Sequence, residues 1–263
     1  MLRKLLKYDL KYMFKFLIIF YSLAIFFGTL TRIFLSIENS LIMEIIGKIC
    51  SGAAISMMFS ILINNLMRMW VRFRSNFYGD ESYLTHTLPI SKGTLYLYKT
   101  LASVISLFVS VAVIGLILYI AYYSKENIEL VKNLLLPVAD VMGSSVVKII
   151  LAFLFICFLE IANMLQSGFS GIILGHKMNN VKVGFSVLYG FGCYIVTQVF
   201  VIIIMFIVGL FNKDIMNLFF TNELVNIDMI KFIIYLAIFI YTLTLVIGYI
   251  VNVKLFNKGV NVD

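Results

Sequence analysis

The sequence predicts an all-α integral membrane protein with six transmembrane helices, and three observations carry that prediction. Of its 263 residues 62% are hydrophobic and only 13% charged, where a soluble domain has about 45–50% and about 25%. No core of this size hides that much apolar surface from water, so lipid must solvate much of it. Six apolar runs reach the roughly 20 residues that cross about 30 Å of hydrocarbon. Only two prolines, Pro89 and Pro137, interrupt the chain, and the apolar–polar alternation of barrel strands is missing.

Residues 1–15 come first and predict an amphipathic interfacial helix. Leu2, Leu5, Leu6, Leu10 and Met13 fall on one face at helical spacing, and Lys4, Lys7, Lys11 and Lys15 on the other. Such a helix lies in the headgroup plane before the chain turns into the bilayer. Asp9 projects from the apolar side. It is either a carboxylate reaching the interface or the partner of a buried arginine or of another subunit. The first apolar run continues well past a signal-peptide core and no small-residue cleavage site follows, so the N-terminus is expected to be retained.

The spans follow at about 16–35, 49–69, 100–122, 145–174, 183–210 and 230–253, within a single transmembrane domain of residues 1–263. The fourth and fifth are long enough to tilt or kink. With the N-terminus inside, the inner segments hold 14 of the 21 lysines and arginines and the outer segments 7. The positive-inside rule then places both termini in the cytoplasm of a plasma-membrane protein. The net charge of +8 is therefore a matter of orientation and lipid headgroups, not of nucleic acid. Cys50, Cys157 and Cys193 all lie in apolar runs, an odd set that forms no disulfide framework and is expected to pack as small core residues. Two outer connections, Ser124–Ser144 and Phe211–Met229, are substantial, and the second has the composition of short helices dipping into the outer leaflet.

The longest inner connection, Arg68–Lys99, carries the most information. Gly79 offers freedom to turn; Asp80, Glu81 or Ser82 can cap a helix. Tyr83, Leu84, Thr87 and Leu88 then make one face of a short surface helix, which Pro89 ends. Such a helix either packs on its own lipid face or docks a soluble partner.

The run Gly79-Asp80-Glu81-Ser82-Tyr83-Leu84-Thr85-His86-Thr87-Leu88-Pro89-Ile90-Ser91, with Lys99 beyond it, resembles the first cytoplasmic loop of the permease subunits of bacterial type-2 ABC exporters. The second inner loop, Gly175–Lys182, and the six-span layout are similar as well, the layout over most of the chain and the motifs over about twenty residues. The resemblance implies two permease chains, identical or homologous, each engaging a cytoplasmic ABC ATPase subunit. ATP and magnesium would be held by that partner. It also implies that residues Gly79 to Leu88, and Asp80–Leu88 above all, form the coupling helix seated in a groove of the ATPase. A separate ATPase fits the sequence, since no Gly-x-x-x-x-Gly-Lys-Ser/Thr run is present.

Polar residues within the spans are few. Glu160 sits deep in the fourth span, and Asn163, Ser167 and Ser170 share its helix face. They line a polar path or form an interhelix contact; an unpaired carboxylate at that depth costs about 2.5 kcal/mol or more. Gly52, Ser56, Ser60 and Asn64 in the second span, and Gly171 and Gly175 in the fourth, recur every four residues, as close-packing faces do. His86 and His176 have no second ligand at metal spacing, so no metal site is expected. The expectation is a non-enzymatic exporter permease for an amphipathic or hydrophobic cargo: an antimicrobial peptide, a drug or a lipid. The alternatives are a non-transporting scaffold or accessory subunit and an intramembrane enzyme built on Glu160.

Overall fold

The computed structural model describes residues 2–37, 40–212, 215–216 and 227–258. These form eight helices: α1 (Leu2–Leu35), α2 (Leu41–Phe77), α3 (Ser82–His86), α4 (Lys92–Tyr122), α5 (Lys125–Met142), α6 (Val146–Gly175), α7 (Lys182–Phe211) and α8 (Ile227–Asn257). No strand occurs among the described residues. Six helices, all but α3 and α5, are long and apolar enough to cross a membrane, and the chain is a multi-pass membrane protein.

Each predicted span coincides with one of these helices, the fourth starting one residue early at Ser145, the N-cap of α6, and several helices run further than the apolar run. α2 has 37 residues, a length of about 55 Å against about 30 Å of hydrocarbon. Its polar ends contain no proline to stop it. The turn expected near residue 15 does not occur, because α1 is one continuous helix of 34 residues. No breaker separates its basic first turns from its apolar remainder, so those turns cannot lie flat while the rest crosses. The connection Ser124–Ser144 holds the helix α5, with Pro137 inside it. Most of the expected dipping segment in Phe211–Met229 lies outside the described residues.

The chain divides into two compact units. The first comprises Met1–Ser75 and Leu88–Glu129, and therefore α1, most of α2, and α4. Its apolar core joins Leu17, Tyr21 and Ala24 of α1 to Ala54, Met58 and Ile61 of α2 and Ile117 of α4. Gly28 permits the close approach of α1 to α4, since a Cβ there would lie 3.1 Å from Ile117. A buried polar knot crosses the same unit. Asn65 Nδ2 donates to the Ser106 carbonyl at 3.1 Å and to the Ser110 hydroxyl, which also bonds Tyr21 Oη at 2.8 Å.

The second unit comprises Asn76–Thr87 and Leu130–Asp263, with α3, α6, α7 and α8. Close glycine packing joins α6 to α7: a Cβ on Gly171 would collide with the backbone of Gly190 and Ser186, and one on Gly175 with Ser186. The turn between these helices is tight enough to hold Val181 at φ 48°, a left-handed conformation that a β-branched residue rarely adopts. The other row of small residues behaves differently. Gly52 and Ser56 are exposed, nothing lies within 4 Å of a Cβ on Gly52, and Ser60 and Asn64 hydrogen-bond only to carbonyls of their own helix. Equal spacing thus packs one pair of helices and leaves this one face of α2 without a close neighbour at Gly52. Of the three free cysteines Cys50 is buried and Cys193 half-buried, whereas Cys157, expected in the core, is exposed.

Candidate functional site

The connection between α2 and α4 is built from the inside outward. Its first side chains anchor it to the second unit: Phe77 meets Phe256 of α8 edge-on at 4.9 Å, and Tyr78 packs on the ring of His176, just past α6, at 4.3 Å. His176 is fully buried, and its Nδ1 lies 2.8 Å from the Ile172 carbonyl. A carbonyl only accepts, so that nitrogen carries the proton. Burial pushes the Tyr78 phenol well above the usual tyrosine range.

The loop then closes on itself. Asn76 Nδ2 donates to Glu81 Oε2 at 2.9 Å, the Ser82 amide donates to the Gly79 carbonyl at 2.8 Å, and His86 Nε2 donates to the Phe77 carbonyl at 3.1 Å. Glu81 occupies the N-cap position of α3 without a side-chain cap bond, its carboxylate being turned to Asn76. Gly79 does not use a positive φ, which among the described glycines only Gly143 does.

The helix is shorter than Asp80–Leu88. Only Ser82–His86 is helical; Gly79, Asp80 and Glu81 lead into it and Thr87 is its C-cap. Leu88 precedes Pro89, a position that disfavours helix, and the chain instead turns sharply, with the Ile90 amide 2.7 Å from the Leu88 carbonyl. Ser91 then caps α4 by accepting from the Thr94 amide at 3.3 Å. Ser82 and Thr85 point inward and are buried, while Tyr83 and Leu84 are 67% and 76% exposed and Asp80 and Thr87 are exposed beside them. The result is a pinned tip with an apolar pair on its outer surface.

In the first unit Asp9 is buried, and its carboxylate accepts from Arg72 Nε at 3.2 Å and from Lys99 Nζ. Lys99 is buried too, and the Arg72 guanidinium lies over the Tyr12 ring at 4.4 Å. Of the two roles open to Asp9, the arginine partner is the one the fold adopts, with the half-buried Arg72 and, in addition, the buried Lys99. This clasp ties α1 to α2 four residues before the tip segment begins and to α4 after it ends.

In the second unit the polar face of α6 is divided between two tasks. Asn163 and Ser167 are buried. Asn163 Nδ2 donates to the Leu159 and Tyr241 carbonyls, both at 2.9 Å, and Ser167 donates to the Asn163 carbonyl. One turn on, Asn252 Nδ2 donates to Gln166 Oε1 at 3.0 Å and Ser170 Oγ to Asn252 Oδ1 at 2.6 Å. These residues clip α6 to α8. Glu160 differs: Tyr194 Oη and Gln198 Nε2 of α7 both donate to its Oε1 at 2.7 Å, and the Tyr241 hydroxyl of α8 hydrogen-bonds the same carboxyl. No three His, Cys, Asp or Glu side chains converge to hold a metal among the described residues.

Sequence reasoning missed Asn76, Phe77, Tyr78 and Phe256 as the seat of the tip. The adjacent aromatic pair before Gly79 and the buried-type histidine of the next inner loop were the signals available. Comparisons with family models, curated proteins and solved structures give no match for this chain.

Proposed function

We propose that this chain is the membrane-spanning permease subunit of an ATP-driven exporter of the type-2 ABC kind. It would act with a separate ABC ATPase that holds ATP and magnesium and with a second permease chain. One observation carries the reading: the Gly79–Ser91 motif folds into a short helix whose inner side is anchored and whose outer side presents Tyr83 and Leu84. An exposed apolar pair on a fixed support is what a soluble partner's groove would grip. The Asp9 clasp supports the same reading, since it would pass movement of the tip's stems to α1. ATP would favour one permease conformation through its effect on the docked partner.

The test is co-purification. Tagged chain from native membranes should retain an ATP-hydrolysing subunit, and Tyr83→Ser with Leu84→Ser should release it while the chain still inserts. Retention of the ATPase by the double variant, or its absence from the unaltered chain, would refute the proposal.

A further inference from the structure

Because α1 is one continuous helix, its basic first turns pass through the headgroup layer instead of lying in it. Lys15 and Lys11 stand about 1.5 and 7.5 Å of helix before Phe16, where the apolar run begins, and a headgroup layer is roughly 5–8 Å deep. Lys7 and Lys4 lie beyond it. Two cations of α2 reach the same depth. The Arg68 guanidinium lies over the Phe16 ring at 3.4 Å and that of Arg72 over the Tyr12 ring at 4.4 Å. Each of those rings directly follows a lysine in the chain, Lys15 and Lys11. The helix ends gathered here, residues 1–16, 64–75 and 88–99, hold ten lysines and arginines against a single carboxylate, Asp9. Asp9 is buried and already engaged by Arg72 and Lys99. Lys11 and Lys15 are exposed and Arg68 is half-buried. None of these three has a hydrogen-bond or ion-pair partner among the described residues. A guanidinium held over a ring is fixed in place while its N–H groups stay open, and they form the fork that grips a phosphate by two hydrogen bonds.

We propose that Lys11, Lys15 and Arg68 form a binding site for the phosphate of an anionic phospholipid, with the Phe16 ring as the support of Arg68. Arg68 takes the phosphodiester, the two lysines add charge, and the acyl chains run along the apolar surface that begins at the same level. That surface is what selects a lipid over a dissolved phosphate or an acidic polypeptide. Ile18 and Ile19 of α1 and Ile63 and Met67 of α2 are all exposed within about two turns of the cations. A dissolved anion would have no use for such a wall. The site concerns this chain and its bilayer alone and does not depend on the exporter reading.

The reporter is Trp70, the single tryptophan, which lies between Arg68 and Arg72 in the chain. The full chain is placed in nanodiscs of phosphatidylcholine and phosphatidylglycerol, one lipid at a time carrying bromine near the headgroup end of its acyl chain. Phosphatidylglycerol should quench Trp70 saturably and at least about tenfold more effectively than phosphatidylcholine at equal fraction, each cation near the surface contributing roughly fivefold. Arg68→Gln with Lys15→Gln should abolish that preference. Lys4→Gln with Lys7→Gln removes the same charge beyond the headgroups and should weaken it by no more than about threefold. Should the first double variant fail to insert, the unaltered chain still decides, since it must show the preference. Equal quenching by the two lipids, or equal losses in the two double variants, would overturn the proposal. So would displacement of the lipid by millimolar inorganic phosphate, which would make the ligand a free anion. Binding of polyglutamate that displaces phosphatidylglycerol and is lost with Arg68 and Lys15 would likewise overturn it in favour of an acidic polypeptide. Loss of ATPase co-purification alone would leave it standing.

Discussion

Replacing Asp9 by Asn removes one buried anion from between two cations. At 3.2 Å and an effective dielectric of about 20, the gross attraction of such a pair is about 5 kcal/mol, most of it offset by desolvation. What the substitution exposes is the other half of that balance, because Lys99, itself 3% exposed, loses the carboxylate that accepts from its Nζ. Removing one partner of a buried pair costs roughly 3–5 kcal/mol. We expect about 4 kcal/mol here, since Arg72 retains the Tyr12 ring and some access to solvent. Lys99→Met alone should cost less, leaving Asp9 with Arg72. The double variant should recover part of the loss, giving a coupling above about 1.5 kcal/mol, in the range for contacting residues. The assay is SDS-titration unfolding from mixed micelles followed by the emission of Trp70, the single tryptophan. Additive losses, or an Asp9→Asn variant as stable as the unaltered chain, would refute the clasp.

Glycine substitutions should divide by location. Gly171→Ala, which meets the backbone of Gly190 and Ser186, should cost at least the roughly 1–3 kcal/mol of overpacking, whereas Gly52→Ala meets nothing and should gain up to about 1 kcal/mol of helix propensity; the same titration compares them. Phe256→Ala should cost roughly 3–5 kcal/mol through the lost contact with Phe77 and raise the rate of proteolysis within 76–87, read by limited digestion. Tyr78 is held neutral by burial, so its folded pKa lies above the unfolded value of about 10. Its contribution is whole below that pH and is lost as pH rises through the folded value. Tyr78→Phe should therefore lose less stability than the unaltered chain between pH 9 and pH 12, and equal alkaline losses would count against that burial.

The spans were legible because lipid leaves a run of about 20 apolar residues few alternatives to a helix. Their ends were not. α2 continues eight residues beyond the apolar run at each end because polar residues without a breaker prolong a helix as readily as apolar ones. Asp9 was visible only as a misfit on an apolar face. Its partners lie 63 and 90 residues away, and no local pattern encodes such a pairing. The tip was legible in Tyr83 and Leu84, but its length was overestimated, since a motif gives composition and Pro89 acts one residue earlier than its own position. The glycine rows show the limit most plainly. Spacing aligned Gly52 with Ser56 as well as it aligned Gly171 with Gly175, yet only the second row received a neighbour.

The tip segment belongs with helices that are synthesised long after it. Its stems, α2 and α4, leave the ribosome early, but the ring that completes its seat, Phe256, stands in α8 at the far end of the chain. Contacts so remote in sequence close late in folding. During biogenesis Tyr78 can settle on His176 once α6 is made, but Phe77 must wait for Phe256 until the last span has inserted, which makes an intact C-terminal helix the condition for a finished tip. A chain truncated before α8 would place its early spans in the bilayer and still present an unseated loop, a state that quality-control proteases could distinguish from the mature form.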